Sequence, residues 1–140
     1  MDFVVLDTNV LVSALRSRRG ASFAILRRIG EAWTPLVSVP LILEYEAVGL
    51  REAELLNIPA QTDEAIIRAF CFFGRETPVY FRLRPFLADP GDEFLLELAV
   101  AGRADAIVTH NVRHLHRAEQ FGIQVMTPRE FLRRIEREGR

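Results

Sequence analysis

The chain begins with an apolar run, residues 3–6, that stops at an acid, Asp7. A short run of strand-forming residues predicts a buried strand of a parallel sheet. Helix-capping side chains follow at residues 7–9, and an apolar stripe with helical spacing runs from Val10 to Leu15. Ligands of open α/β sheets bind beyond the carboxyl ends of the strands. We therefore expect Asp7 to lie where such a fold carries its chemistry.

Four more short apolar runs alternate with helical patterns along the rest of the chain. This alternation predicts one α/β domain, residues 1–140, with a parallel sheet and right-handed crossovers. The predicted strands are residues 34–39, 78–81, 106–109 and 122–126. Helices are expected after a Ser22 cap, from Pro40 to about Leu50 with an end near Gly49, from Thr62 to Gly74, over 93–101 behind the turn 88–92, within 110–120, and from Pro128.

The composition is that of a globular protein. Hydrophobic residues make up 49% of the 140 residues and charged residues 26%, and the formal net charge is -1. All 18 lysine-or-arginine positions are arginines. We attribute this to codon usage in a GC-rich genome in preference to a functional explanation. The near-neutral charge predicts no broad basic face of the kind that binds nucleic acid non-specifically.

The single cysteine and the absence of long apolar runs bear on the compartment. Cys71 lies in the apolar run 69–73, where we expect a small buried hydrophobic residue and not a reactive thiol. One cysteine forms no internal disulfide, which suits a reducing cytosol. No run reaches the length of a membrane span, and the N-terminus lacks signal-peptide features. We expect a soluble cytoplasmic protein with no membrane partner.

Further acids could join Asp7 at the carboxyl edge of the sheet. Glu44 and Glu46 fit the helix after Pro40 equally well, because that helix is apolar nearly all round, and spacing does not choose between them. Asp92 stands at the start of the next long helix, where a plain N-cap is the simpler interpretation. Asp89 precedes a proline and is expected to open a turn.

The end of the fourth predicted strand resembles the end of the first. Thr109 and Asn111 follow that strand as Asp7 and Asn9 follow the first, so Asp7 and Asn111 would face one crevice if the strands are neighbours. Carboxylates about 5 Å apart repel by roughly 3 kcal/mol per pair at an effective dielectric constant of about 20, so such a cluster needs protons or a cation. Oxygen ligands favour Mg²⁺ or Mn²⁺, which suit phosphodiester hydrolysis.

Five segments of the chain form a recognisable series. They are VLDTNVL at 5–11, SVP at 38–40 leading to Glu44 and Tyr45, DPGDEFLLELA at 89–99, ADAIVTHN at 104–111 and GIQVMTP at 122–128. In this order and spacing they resemble PIN-domain proteins, and most closely the VapC-like toxins of toxin–antitoxin systems. The resemblance runs over nearly the whole chain and implies a three-layer fold with a five-stranded parallel sheet of order 3-2-1-4-5. It also implies an Mg²⁺- or Mn²⁺-dependent ribonuclease with an RNA substrate, a small antitoxin partner and a homodimer.

The resemblance assigns the site residue by residue. Asp7, Glu44 and Asp92 match the three acids that hold the metal, so Glu44 is preferred over Glu46 and Asp92 becomes more than a cap. Asn111 matches a fourth position that carries an acid or an asparagine, and it brings no charge. His114 occupies a position where many relatives have another acid, and we interpret it, like His110 and His116, as a surface residue.

Two alternatives remain at this point. A PIN-like scaffold that binds RNA or a protein partner without cutting would suit the neutral Asn111 and the low net charge. The motif of a strand followed by Asp-x-Asn also resembles that of the phosphoaspartate folds. Receiver domains of that class use a lysine at the phosphate, and the chain has no lysine. Phosphatases of that kind need a second acid where Asn9 stands, which argues against them.

Overall fold

The computed structural model describes residues 1–84, 86, 87 and 90–139. Strands and helices alternate as the hydrophobic pattern predicts. The strands are β1 Asp2–Leu6, β2 Trp33–Val37, β3 Arg75–Glu76, β4 Ala106–Val108 and β5 Gln124–Met126. The helices are α1 Thr8–Arg16, α2 Ala21–Leu26, α3 Val39–Leu55, α4 Ala60–Phe73, α5 Pro90–Ala101, α6 Val112–Leu115 and α7 Pro128–Glu138, with a 3₁₀-helix at His116–Phe121 between α6 and β5.

The five strands form one parallel sheet in the order β3-β2-β1-β4-β5, which confirms the predicted order 3-2-1-4-5. β1 lies between β2 and β4, and Leu6 pairs with Val108 at its carboxyl end. The hydrogen bonding continues one residue further, because the Asp7 amide donates to the Val108 carbonyl at 2.9 Å. The ends of β1 and β4 therefore meet at the edge where the strand order reverses.

Helices cover both faces of this sheet. The chain steps from β1 to β3 in one direction and from β3 to β5 in the other, so right-handed crossovers put α1–α4 and α5–α6 on opposite faces. Trp33 is fully buried, with its ring centroid 5.7 Å from Phe131 and 6.4 Å from Phe70. Its indole N–H donates to the Ile25 carbonyl at 2.8 Å, so the polar atom of this large ring is satisfied. Among the described residues, no helix combines the length and the apolar character that a membrane crossing requires.

The third strand lies earlier than the pattern predicts. We expected it at 78–81, but β3 is the pair Arg75–Glu76, which lies beside Leu36 and Val37 of β2. The Thr77 amide still donates to the Val37 carbonyl at 2.8 Å, and pairing ends there because Pro78 has no N–H to donate. Tyr80, which we placed inside the strand, is 90% exposed.

Helix α3 continues past the glycine at which we expected it to end. Gly49 lies inside α3, and a Cβ added there would come within 2.2 Å of Asp63 Oδ1 on α4. The glycine is therefore a point of close approach between the two helices and not a terminator. Asp63 itself is buried, and among the described residues its Oδ1 has no hydrogen-bond partner.

Asp63 makes a pH-dependent contribution to stability. Burial raises the pKa of its carboxyl, and the charges of Glu64 and Glu46 raise it further. A carboxyl whose folded pKa lies above its unfolded value stabilises the fold below the unfolded pKa and loses that contribution as the pH rises through the folded pKa. We expect Asp63→Asn to stabilise the protein by roughly 1 kcal/mol at pH 7, because the amide keeps the size of the side chain and carries no charge beside Glu64 and Glu46.

Urea unfolding of the wild type and the Asp63→Asn variant at two pH values measures this effect. The gain should shrink as the pH falls towards the ordinary aspartate pKa of about 4, because the wild-type carboxyl, with its raised pKa, takes up its proton on the way. An equal gain at both pH values would rule out ionisation as its cause.

Three smaller predictions also need correction. Ser22 lies inside α2, whose N-cap is Gly20, because α2 begins two residues earlier than expected. Cys71 is exposed, since the buried side of α4 runs through its neighbour Phe70 and residue 71 points about 100° away from it. α5 begins at Pro90, a favoured first helical residue, so Asp92 lies in the first turn and is not the N-cap. The turn predicted for Asp89 lies outside the described residues.

Candidate active site

Asp7 lies at the junction of β1 and α1 and is the N-cap of that helix. Its backbone is extended, with φ -66° and ψ 142°, and its Oδ1 accepts from the Asn9 amide at 3.5 Å. Thr109, one residue beyond β4, donates its hydroxyl to Asp7 Oδ2 at 2.7 Å. These bonds orient the carboxylate from two neighbouring strand ends.

The electrostatics at Asp7 disfavour its charged form. Burial raises the pKa of the Asp7 carboxyl, the bonds from Thr109 and Asn9 lower it in part, and the negative charge of Glu44 raises it again. The same two carboxylates add to the effect of complete burial and raise the pKa of the Tyr45 phenol well above its usual value. Negative charge has therefore accumulated at this edge, and a cation would relieve it.

Glu44 approaches Asp7 from α3. It lies in the second turn of that helix, is exposed, and its Oε2 accepts the Thr8 hydroxyl at 2.5 Å. Thr8 is the residue next to Asp7, so this bond ties the second acid to the first. Glu46 lies on another side of α3, where it lines a groove with Cys71.

Asp92 has a histidine beside it. The distance from Asp92 Oδ2 to His114 Nδ1 is 3.9 Å, and the His114 side chain is 65% exposed. His114 is thus a surface residue, as expected, but it also borders the third candidate acid.

Two buried acids further along α5 attach the preceding segment to this helix. Arg84 lies 3.3 Å from Glu97 and 3.9 Å from Glu93, measured from guanidinium nitrogen to carboxylate oxygen. Glu97 also accepts the Leu83 amide at 2.7 Å. These contacts fix residues 83 and 84 against the helix that carries Asp92.

The segment after β4 is joined to Asp7 through Thr109. The Thr109 hydroxyl accepts the Asn111 amide at 2.9 Å while it donates to Asp7. Asn9 bonds to the same hydroxyl through its Nδ2 at 3.5 Å, and its Oδ1 accepts the His110 amide at 3.3 Å. Asn111 is exposed and directly precedes α6. Its link to the carboxyl edge of the sheet, where the sequence predicts it, runs through its backbone amide.

The four predicted site residues differ in how closely the structure links them. Asp7 and Glu44 are coupled electrostatically, Asn111 is linked to Asp7 through Thr109, and Asp92 is in contact with His114. Among the described residues, no three His, Cys, Asp or Glu side chains already surround one point at metal-binding distance. The oxygen donors and excess negative charge at Asp7 and Glu44 nevertheless fit a hard divalent cation.

Sequence reasoning missed two residues that support the site. Tyr45 is fully buried and donates its hydroxyl to the Leu6 carbonyl at 2.5 Å, directly before Asp7. The sequence pattern predicts only a possible cap at Thr8, yet its hydroxyl holds Glu44. Each lies next to a candidate acid in the sequence, and that adjacency was the available signal.

Comparisons with known proteins agree with this architecture. No curated protein matches the chain. FitAcB from Neisseria gonorrhoeae superposes with a TM-score of 0.61 at 17% identity, over 89% of the chain and 97% of the matched chain. VapBC2 from Rickettsia felis, bound to a DNA fragment from its promoter, superposes with a TM-score of 0.59 at 13% identity, over 89% of the chain and 98% of the matched chain. The sequence profile of the PIN domain matches residues 3–113, so the chain belongs to the PIN-domain family.

Proposed function

We propose that the protein is a metal-dependent endoribonuclease in which Asp7, Glu44 and Asp92 hold Mg²⁺ or Mn²⁺. The observation that carries the proposal is the half-buried Asp7 carboxylate, whose pKa is raised by burial and by the charge of Glu44 at the carboxyl edge of a PIN-domain sheet. A partly desolvated acid kept beside a second acid suits a group that binds a cation. RNA phosphodiester bonds are the proposed substrate.

The chain's own residues prepare this site by fixing carboxylate oxygens. Thr109 holds Asp7 Oδ2, and Thr8 holds Glu44 Oε2. Asp7 Oδ1 accepts only the long 3.5 Å bond from the Asn9 amide, so it retains acceptor capacity for a ligand. The Tyr45 hydroxyl fixes the carbonyl before Asp7 and stays protonated because burial and both charges raise its pKa. The chemistry that the ion supplies when bound is activation of water and stabilisation of the leaving oxygen.

Asn111 bears on how many ions the site would take. A neutral amide at the fourth position adds no charge to balance a second divalent ion. We infer that one ion suffices for this chain, with Asn111 and Thr109 orienting groups around it. Titration calorimetry with Mn²⁺ that gives two tight sites would contradict this inference.

Purified protein should cleave single-stranded RNA with Mn²⁺ or Mg²⁺ and lose that activity in EDTA. Asp92→Asn should lower the cleavage rate at least about 100-fold, because it removes a charged metal ligand but keeps the size of the side chain. Asp105→Asn is the matched control, since Asp105 accepts the Phe3 amide just before β4, at the opposite edge of the sheet. Undiminished cleavage by the Asp92 variant would remove that residue from the site.

We further infer that the protein acts as the toxin of a toxin–antitoxin pair, forms a homodimer and is neutralised by a small antitoxin. An apolar groove between α3 and the end of α4 supports a protein partner, since Val39 and Leu43 are 59% and 58% exposed there. Expression should arrest bacterial growth, and co-expression of a small protein encoded beside the gene should relieve the arrest. Sedimentation of the purified protein as a monomer would contradict the dimer.

A scaffold that binds RNA or a protein without cutting is the second candidate function. The neutral Asn111 and the exposed groove between α3 and α4 favour it. Calorimetry separates the two functions, because a nuclease of this kind binds Mn²⁺ through Asp7. Absence of Mn²⁺ binding, together with intact RNA or protein binding, would favour the scaffold.

A further inference from the structure

A cavity bordered by several polar side chains lies beside the candidate active site and has no role in the proposed chemistry. Its volume is about 280 Å³, and it opens between α1, the segment after β4 and the start of α7. Four hydroxyl groups, an imidazole and a guanidinium belong to residues in its lining. These residues are Ser13, Ser17, Ser22, Thr127, His110 and Arg129.

A continuous series of hydrogen bonds connects the cavity to Asp7 at the carboxyl edge of the sheet. His110 lines the cavity, and its amide donates to Asn9 Oδ1 at 3.3 Å. Asn9 in turn bonds to the Thr109 hydroxyl, which donates to Asp7. His110 and Asp7 are therefore held in a fixed relation, and a substrate group in the cavity would be adjacent to one at Asp7.

The inner wall of the cavity is a hydroxyl cluster centred on Ser13. Its Oγ lies 2.8 Å from His110 Nε2, 2.5 Å from the hydroxyl of the buried Ser22 and 3.0 Å from the Val10 carbonyl. One hydroxyl proton cannot serve three neighbours, so at least one of the two side chains donates to Ser13. The cluster therefore fixes the His110 ring against α1, and the ring forms a rigid border of the cavity.

The outer wall carries positive charge beside an acidic site. Arg129 forms no ion pair with any residue that the structure describes, and the Ser17 hydroxyl makes no hydrogen bond within the same residues. Asp7 and Glu44 would repel an RNA backbone, so a polyanionic substrate needs cationic contacts close to them. The cavity offers a guanidinium and hydroxyl donors, which are the groups that bind phosphate oxygens.

We propose that this cavity binds a backbone phosphate of the RNA substrate, next to the phosphodiester that is cut. The proposal rests on the proposed function for the identity of the substrate. Arg129 and Ser17 contact the phosphate directly. Ser13 is a positioning residue that holds His110 at the border of the cavity.

The test compares two arginines of the same helix. Arg129→Gln should raise KM for a single-stranded RNA about tenfold and leave kcat within about twofold, because a charged hydrogen bond to the bound substrate is lost. Arg133→Gln, four residues along α7, removes the same charge from an exposed position outside the cavity and should change KM less than twofold. Ser17→Ala should raise KM about threefold. Equal effects of the two arginine variants would overturn the proposal.

A second measurement identifies the phosphate and does not depend on cleavage. In EDTA, fluorescence anisotropy should give Arg129→Gln weaker binding to the same RNA. The slope of log K against log salt should be less negative by about 0.7, the share of one contact to a single strand. Replacing one RNA phosphate by a neutral methylphosphonate should weaken RNA binding by the wild type. The same replacement should cause no further loss of RNA affinity in Arg129→Gln. No position-specific effect in the wild type would overturn the cavity proposal.

These two measurements separate the cavity from the nuclease. If the wild type does not cut RNA with Mn²⁺ but Arg129→Gln still binds RNA more weakly than Arg133→Gln, the proposed function fails and the phosphate site stands. If cleavage occurs and neither arginine variant changes KM or metal-free binding, the nuclease stands and the phosphate site fails.

Discussion

Asp7→Asn should abolish RNA cleavage and at the same time stabilise the metal-free protein. The cleavage rate should fall about 1,000-fold or more, because in the proposed site an amide cannot replace a charged metal ligand. The melting temperature in EDTA at pH 7 should rise, because burial raises the pKa of the Asp7 carboxyl and therefore penalises its charged form. Asparagine retains an oxygen that can accept the Thr109 hydroxyl.

Added metal should reverse the order of stability. Mn²⁺ at about 100 times its dissociation constant stabilises the state that binds it by about 2.7 kcal/mol, so the wild type should gain melting temperature and Asp7→Asn should not. Asp105→Asn serves again as the control and should respond to Mn²⁺ as the wild type does. An Asp7→Asn variant that still gains stability with Mn²⁺ would show that the ion binds elsewhere.

Glu44→Gln and Glu46→Gln should differ sharply in their effect on cleavage. The first should lower kcat or raise the Mn²⁺ requirement at least about 100-fold, because it removes the charge that acts on Asp7 while an amide oxygen can still accept the Thr8 hydroxyl. The second changes the same charge two residues along α3 and should alter cleavage less than twofold. Cleavage measured over a range of Mn²⁺ concentrations gives both parameters.

This pair of variants also controls for stability. Glu44 and Glu46 are both exposed on one helix, so neither change should unfold the protein. Comparable losses of activity in the two variants would mean that the general charge of α3 matters and that Glu44 has no special position. A loss confined to Glu46→Gln would reverse the assignment made by resemblance.

The parts of the fold that are fixed by local pattern could be predicted from the sequence. β1 is a buried apolar run and Asp7 ends it, so the strand, its cap and the position of the acid follow from residues 3–15 alone. The strand order needed the resemblance, because alternation predicts a parallel sheet but not which strands are neighbours. The two-residue β3 carries too little pattern to be located, and the apolar residues 78–81 carry the stronger strand pattern.

Features that depend on contacts between distant segments could not be predicted in the same way. Gly49 was expected to end α3, because a glycine that terminates a helix and one that admits a neighbouring helix look the same in a sequence. Glu44 and Glu46 could not be separated because α3 is apolar nearly all round. His110 is exposed, as expected, but its contact with Ser13, 97 positions away in the chain, has no signal in the sequence.

The burial of Asp7 also shapes how such a chain can evolve. A carboxylate that is costly to fold persists only while selection for its activity outweighs the lost stability. When that selection ends, replacing Asp7 by a neutral residue removes the penalty and leaves the cap position, the sheet and the apolar groove in place. The path from a cutting enzyme to a non-cutting binding protein is therefore downhill in folding free energy, whereas the return path must climb it.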